Sequence, residues 1–337
     1  MKFKQEIRPY RREEADGAVQ AELKAIRKRL WRRSASIVAV SVMLAAGILL
    51  GVIYGVIPAA EKQYWNPETN TYGDQFSNDL ELTLAAYSEL FTEDVSVHDV
   101  RSERTGFAAH NLTIQSFHTA LGGDSRYTYG SLVKGELSLP EDFMQPITLN
   151  IFERASFPEY PMDEEHKKSV RDSLEALPEY VKVYMAVSFP EDLTMEELIQ
   201  FSDSLEGGNM GWAGIRNSPV KKQRYPLCGM TPFGNGVIRE DINDAYPFFE
   251  IKGQEQTPDS LEQHFISLLQ YSADREAEGR GTGRTGEDYY REVLEYVEEN
   301  GVKCYGCFIT ASPQTVLELL DGGIISQAWP VDAWIGF

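Results

Sequence analysis

The chain has 337 residues, only three cysteines and a formal net charge of −20 at pH 7. The charge is unevenly distributed. Residues 1–34 contain eleven Lys and Arg residues and five Asp and Glu residues. Residues 60–337 contain twenty-one Lys and Arg residues and forty-seven Asp and Glu residues. An acidic excess of this size repels the phosphate backbone, so the long C-terminal region is not expected to bind nucleic acid directly.

An uncharged stretch of twenty-three residues, from Ala35 to Ile57, follows the basic N-terminal segment. A helix needs about 20 apolar residues to cross the hydrocarbon core of a bilayer, so the stretch predicts one transmembrane helix over residues 35–58. A buried core helix is rarely so long and so uniformly apolar, and the apolar part of a cleavable signal peptide usually has about 7–15 residues. An uncleaved membrane anchor is therefore the favoured interpretation.

The distribution of basic residues predicts the orientation of this anchor. Arg32 and Arg33 end the apolar stretch on its N-terminal side, and that flank is richer in Lys and Arg than the nearby part of the other flank. Cytoplasmic flanks carry the excess of basic residues. We therefore expect a single-pass protein of the plasma membrane with a cytoplasmic N-terminus and an extracytoplasmic C-terminus.

Three glycines recur every fourth residue within the predicted span, at Gly47, Gly51 and Gly55. This spacing places them on one helix face and allows two backbones to approach closely, as in a transmembrane homodimer. Glycine is also common in membrane spans that do not dimerise, so both interpretations stay open.

The N-terminal tail, residues 1–34, is too short to bury a core of its own. From residue 11 to residue 33 its pattern fits an amphipathic helix, with Val19, Leu23, Ile26 and Leu30 on one face and basic residues elsewhere. This face suits the anionic inner leaflet or a groove on a partner protein. A third possibility is a basic topology signal that binds nothing.

The region after the span begins with a polar stalk at residues 59–78 and continues as a β-rich, membrane-proximal domain at residues 79–178. Alternating apolar and polar residues predict its strands at 110–117, 131–140 and 147–155. The segment 80–91 fits either a strand or a helix, and a charged stretch at 163–177 fits a helix.

Residues 179–337 form the last predicted domain, which contains two β–α–β units. The first combines a strand at 181–189, a helix at 193–205 capped by Thr194, and a strand at 210–217. The second combines a strand at 303–311, a helix at 315–320 preceded by Ser312 and Pro313, and a strand at 324–337 interrupted by Pro330. Amphipathic helices at 259–273 and 287–299 lie between the units. The expected fold class is one transmembrane helix plus an α+β region, with a ferredoxin-like split β–α–β domain at the C-terminus.

No catalytic, cofactor-binding or metal-binding residue is predicted. The five histidines, including His166, are scattered and form no metal or triad motif. The glycine-rich stretch at 279–286 lacks the spacing of a phosphate-binding loop and is expected to be a flexible connection. The chain is therefore not expected to be an enzyme or to carry a cofactor.

The cysteines are expected to be packed thiols. Cys304 and Cys307 form a CxxC pair inside a predicted strand, where residues three apart should point to opposite faces. Zinc would require more ligands than this pair supplies. A disulfide that involves Cys228 stays open as an alternative.

The C-terminal domain resembles the sigma factor regulator C-terminal family of Gram-positive bacteria. The resemblance is carried by four segments: YMAVSFP at 184–190, LTMEEL at 193–198, WAGI at 212–215 and YGCFITAS at 305–312. Members of this family are membrane proteins thought to restrain sigma factors of the extracytoplasmic-function type, and they pair a short basic N-terminus with one span. The resemblance implies that a sigma factor or a small co-regulator binds the tail, for which Val19, Leu23, Ile26 and Leu30 are the candidate contacts. It implies no catalytic residue.

The first hypothesis is therefore an anti-sigma-type regulator that couples an envelope signal to transcription. The alternative is a membrane-anchored extracytoplasmic binding or scaffold protein whose tail is only a topology anchor. An anchored extracellular enzyme has no positive support in the sequence.

Overall fold

The structure is a computed structural model that describes residues 10–71, 78–93, 95–118, 124–145, 164–219, 226–232, 240–251 and 256–335. Contacts along the chain divide it into two compact units, residues 1–63 and residues 64–337. The strand predicted at 147–155 lies outside the described residues.

The first unit is one long helical run. Helix α1 (Tyr10–Gly51) leads into a π-helical segment (Val52–Val56), which leads into helix α2 (Ile57–Glu61). Pro58 has no amide hydrogen to donate to the preceding turn, and the π-helical segment lies in that turn. By length and composition, the run from Val19 to Glu61 could cross a membrane, and none of its most apolar stretch is buried. One N-terminal apolar helix of this kind fits a single-pass membrane protein.

The second unit is a mixed α/β region that opens with segment 64–71 and helix α3 (Asp79–Phe91). Asn78 caps α3, because its side chain accepts a hydrogen bond from the Glu81 amide at 2.8 Å. Asp79 and Glu81 in the first turn also favour a helix, since acidic side chains stabilise a helix N-terminus. Segment 80–91 is therefore a helix and not a strand.

The first sheet is an antiparallel meander in the order β1-β2-β3-β4, with strands β1 (Val95–Gly106), β2 (Ala109–His118), β3 (Asp124–Val133) and β4 (Glu136–Ser138). Strand β2 confirms the prediction at 110–117. The single strand predicted at 131–140 is wrong, because Lys134 and Gly135 form a tight turn there. Both residues have positive φ angles, 52° and 85°, as the turn of a two-residue hairpin requires.

The described residues of the second unit contain six further helices. They are α4 (Glu164–Glu175), α5 (Met195–Asp203), α6 (Glu240–Ala245), α7 (Pro258–Ala277), α8 (Glu287–Asn300) and α9 (Pro313–Asp321). The predicted caps are confirmed: Thr194 and Glu197 form a reciprocal capping box on α5, and Ser312 accepts a hydrogen bond from the Thr315 amide at 3.0 Å on α9.

The second sheet is antiparallel throughout, in the order β7-β6-β8-β5-β9. Its strands are β5 (Val181–Leu193), β6 (Asn209–Ile215), β7 (Cys228–Met230), β8 (Cys304–Ala311) and β9 (Gln327–Ile335). Helix α5 connects β5 to β6, and α9 connects β8 to β9, as the two predicted β–α–β units require. The pairing of β9 with β5 is irregular next to Pro330, where the sequence predicted an interruption.

Both faces of the second sheet are buried. Along β5, Val183, Met185 and Val187 join the main core, whereas Tyr184 and Ala186 join a separate cluster on the other face. That cluster is mostly aromatic and also contains Trp212, Leu227, Tyr305 and Phe308.

The prediction that Cys304 and Cys307 point to opposite faces is wrong. A register shift separates the pairs Gly214–Gly306 and Ile215–Cys304, so Tyr305 is an extra residue in β8. Because of this extra residue, the side chains of Cys304 and Cys307 point to the same face of the sheet, and both lie in the main core. Cys228, Cys304 and Cys307 are all buried free thiols.

Candidate functional site

The predicted contact residues of the tail lie on a helix and are exposed. Val19, Leu23 and Ile26 each have 54% of their surface exposed, and Leu30 has 58%. Helix α1 contains all four residues at spacings of four, three and four, so they share one face. We call these four residues the apolar stripe. Large apolar side chains in a row on a helix would normally be covered by another surface.

The predicted dimer face of the span is open. Gly47 and Gly51 lie in α1, and Gly55 lies in the π-helical segment. A Cβ atom added at any of the three would meet no other atom within 4 Å. The wider π turn changes the angular position of Gly55 relative to regular α spacing. A role for these glycines in dimerisation stays a prediction.

Segment 64–71 is held by the buried carboxylate of Asp79. The Thr71 amide donates to Asp79 Oδ1 at 2.7 Å, and the Thr71 hydroxyl donates to Oδ2 at 2.5 Å. The Arg275 guanidinium on α7 lies 3.9 Å from the same carboxylate. Trp65 is only 6% exposed and belongs to the main core. These contacts fix the start of the second unit to α3 and α7.

Glu89 joins α3 to three other parts of the second unit. Its carboxylate pairs with His264 Nε2 at 2.9 Å and accepts from the Thr231 amide at 3.3 Å. Its main-chain carbonyl accepts from the Trp212 indole at 2.8 Å. The other ring nitrogen of His264, Nδ1, lies 2.9 Å from the Phe248 carbonyl.

The electrostatics of this pair favour the imidazolium form of His264. Burial by itself would lower the pKa of His264, but the Glu89 carboxylate and the main-chain carbonyls at Phe248 and Phe249 more than offset it. The pKa of His264 therefore lies above its ordinary value. Sequence reasoning missed this pair because the two residues are 175 positions apart.

The glycine-rich segment 279–286 is a loop between α7 and α8, as the sequence predicts, and it makes several hydrogen bonds. The Arg284 guanidinium donates hydrogen bonds to the carbonyls of Pro140, Phe143 and Met144. The Gly283 amide donates to Glu276 at 3.1 Å. The loop thus connects α7 and α8 to the segment that follows β4, and its polar groups serve the fold.

The three cysteines are poorly suited to chemistry. Burial raises the pKa values of Cys228 and Cys304 to about 12, and it raises that of Cys307 as well. Thiolates are the reactive form, so these thiols are inert at neutral pH. In the part of the chain that the structure describes, no group of three His, Cys, Asp or Glu side chains could hold a metal ion.

These observations define a class: a protein with one helix suited to a membrane, an exposed apolar stripe before it and a mixed α/β unit in which Asp79, Glu89 and Arg284 connect separate elements. Residues 174–328 match the model of the family described as sigma factor regulator C-terminal. Residues 174–328 are therefore similar to the C-terminal domain of the sigma factor regulator family, which is a regulatory, non-enzymatic kind of protein. Comparisons with curated proteins and with solved structures find no match.

Proposed function

We propose that the chain is a single-pass, anti-sigma-type regulator of a sigma factor of the extracytoplasmic-function class. In this proposal the apolar stripe lies in the cytoplasm and the second unit lies outside, where it couples an envelope signal to transcription. The match of residues 174–328 to the sigma factor regulator family carries the proposal. The basic flank before the span supports the orientation.

The apolar stripe is the proposed contact for a sigma factor or for a small co-regulator. An isolated helix of this length is marginal in water, and an amphipathic helix is stabilised when a hydrophobic groove covers its apolar face. The exposure of Val19, Leu23, Ile26 and Leu30 supports this assignment. Restraint would hold the sigma factor at the membrane, and a shift of the tail between bound and free states would release it.

Segment 64–71 is the proposed route by which the second unit influences the tail. Its attachment to Asp79 and Arg275 supports this role, since a rearrangement of α3 or α7 would pull directly on the chain that continues to the span. The proposal involves no catalysis, and it includes a homodimer through Gly47, Gly51 and Gly55. It also includes a ferredoxin-like assignment for the second sheet, which the order β6-β8-β5-β9 supports.

A transcriptional reporter tests the stripe directly. Replacing Leu23 and Ile26 together with Asp places two charges in the proposed contact. We expect target transcription to rise to the level seen when the gene is deleted. The matched control replaces Ala21 and Ala25 with Asp, which adds the same charge about 150° away around the helix. This control should retain full restraint, with immunoblots confirming equal amounts of both variants in the membrane.

Unchanged transcription in the Leu23→Asp, Ile26→Asp variant would contradict a stripe-mediated restraint. It would favour the alternative, an extracytoplasmic binding or scaffold protein whose tail is only a topology anchor. Equal loss of restraint in both double variants would instead attribute the effect to charge alone.

A further inference from the structure

A row of polar side chains crosses all four strands of the first sheet. The strand register pairs Glu103 with Asn111, Asn111 with Ser131, and Ser131 with Ser138. With neighbouring strands about 4.8 Å apart, the row is about 14 Å long. We call these four residues the polar row.

The polar row lies on the outer face of the sheet. Leu112 and Leu132, its neighbours along β2 and β3, are buried, so alternation directs the row away from the core. In the described part of the chain, none of the four side chains has a hydrogen-bond partner. Their donors and acceptors are therefore available to a ligand.

An exposed tyrosine flanks the polar row. Tyr129 is 71% exposed, and it pairs with Thr113 in the next register position on the same face. Tyr129, Thr113 and the polar row line an open groove of about 640 Å³, together with Leu139 and Pro140. This volume is within the range of about 300–1,000 Å³ found for small-ligand sites.

The chemistry of the lining selects a ligand class. Hydroxyl and amide groups offer both donors and acceptors in a line, which a chain of sugar hydroxyls complements. The flat, exposed ring of Tyr129 offers an apolar face with a polar tip beside that line. Among the described lining residues only Glu103 is charged, so an anionic ligand would be repelled and gain no cationic partner. An apolar ligand would leave the polar row unsatisfied.

We propose that this groove binds an uncharged carbohydrate chain that lies across the strands. A peptide strand would instead need a free sheet edge to pair with, and the groove lies on the sheet face. The site is outside the family match at residues 174–328, so the inference goes beyond the proposed control of a sigma factor. The orientation proposed above would expose the groove to the polysaccharides of the cell envelope.

The test measures binding of the N-acetylglucosamine hexamer to the full-length protein by isothermal titration calorimetry. A zwitterionic detergent is required, because detergents with sugar headgroups would compete for the groove. We expect saturable binding by the wild type and at least about tenfold weaker binding by Tyr129→Ala, equivalent to about 1.4 kcal/mol. Asn111→Leu, which removes the central polar group of the row, should weaken binding similarly.

Tyr127→Ala is the matched control. Tyr127 lies on the same strand and the same face and is 61% exposed, but it does not line the groove, so its variant should bind like the wild type. Maltohexaose and polyglycerol phosphate serve as competing probes. Maltohexaose binding that depends on Tyr129 would also support a carbohydrate site.

Three outcomes would overturn the proposal. They are no saturable binding of either sugar by the wild type, equal weakening by Tyr127→Ala and Tyr129→Ala, or preferred binding of the anionic polymer. The assay has no transcriptional readout. It therefore succeeds or fails independently of the sigma-factor proposal.

Discussion

The pairing of Glu89 with His264 makes the stability of the second unit depend on pH. His264 is almost fully buried, and its imidazolium form donates to Glu89 and to the Phe248 carbonyl. Its folded-state pKa is raised above the ordinary value of about 6.5. The stabilisation is therefore fully present below that ordinary pKa and is lost as pH rises through the raised pKa of the folded protein.

Replacing Glu89 with Gln should remove most of this pH dependence. We expect the free energy of unfolding to fall by about 1–2 kcal/mol near pH 6, since a hydrogen bond to a charged group is lost. The difference from the wild type should shrink as pH rises through the raised pKa of His264 in the folded protein, because the imidazolium then loses its proton. Urea unfolding of the full-length protein in detergent, followed by tryptophan fluorescence, measures this difference.

Glu298→Gln provides the comparison for this measurement. Glu298 is an exposed residue of α8, so the same substitution there should leave the free energy of unfolding unchanged at every pH. A Glu89→Gln variant whose loss of stability is the same at pH 6 and pH 9 would show that His264 is not the titrating group.

At the scale of the element, the bulge in β8 depends on a glycine. A Cβ atom on Gly306 would lie 2.4 Å from the Val187 carbonyl oxygen and 3.2 Å from the Ser188 Cα. Both neighbours are main-chain atoms of β5, which is paired on both sides, so neither can move without disturbing the sheet. Glycine at position 306 therefore permits β8 to pack against β5 next to the bulge.

Gly306→Ala should lower the free energy of unfolding by about 3 kcal/mol, because the added methyl group overpacks a rigid part of the sheet. Gly106→Ala is the matched change in a strand of the first sheet, where the nearest atom would be the Ala109 Cβ at an ordinary 3.8 Å. That variant should be neutral or slightly stabilising. Chemical denaturation of both variants checks the prediction, and equal effects would contradict it.

Local sequence signals predicted most of the regular elements of the second unit. The strand at 110–117 and the helices capped by Thr194 and Ser312 were predictable, because alternation and capping act within a few residues. The hairpin at Lys134 and the bulge at Tyr305 were not predictable in this way. In the hairpin, the alternation of apolar and polar residues continues through the turn, so the sequence does not mark where one strand ends. The bulge is defined only by the pairing of β8 with β6, which is distant in the sequence.

The candidate sites differ in the same way, because one follows a local sequence pattern and the others do not. The apolar stripe was predictable because it follows the period of a single helix. The Glu89–His264 pair and the polar row join residues from different elements, so no local pattern reveals them. Their residue types are common on protein surfaces, and only the register of the strands or the packing of the helices brings them together.

At the scale of the whole molecule, the proposed function requires the apolar stripe and the C-terminus to lie on opposite sides of a membrane. Epitope tags at the two termini test this requirement. Protease added to intact protoplasts should remove the C-terminal tag and leave the N-terminal tag until the membrane is permeabilised. The reverse pattern would place the apolar stripe outside and exclude its contact with a sigma factor.

The same assay tests the cause of the orientation. Only basic residues within about 15–20 residues of a span contribute strongly to its orientation. Replacing Arg29, Arg32 and Arg33 with Gln should therefore invert part of the population, so that some N-terminal tag becomes sensitive to protease. Replacing three distant basic residues, Lys2, Lys4 and Arg8, removes the same charge and should leave the orientation unchanged. If both triple variants keep the wild-type orientation, the basic flank does not determine it, and folding of the acidic second unit outside the cell becomes the better explanation.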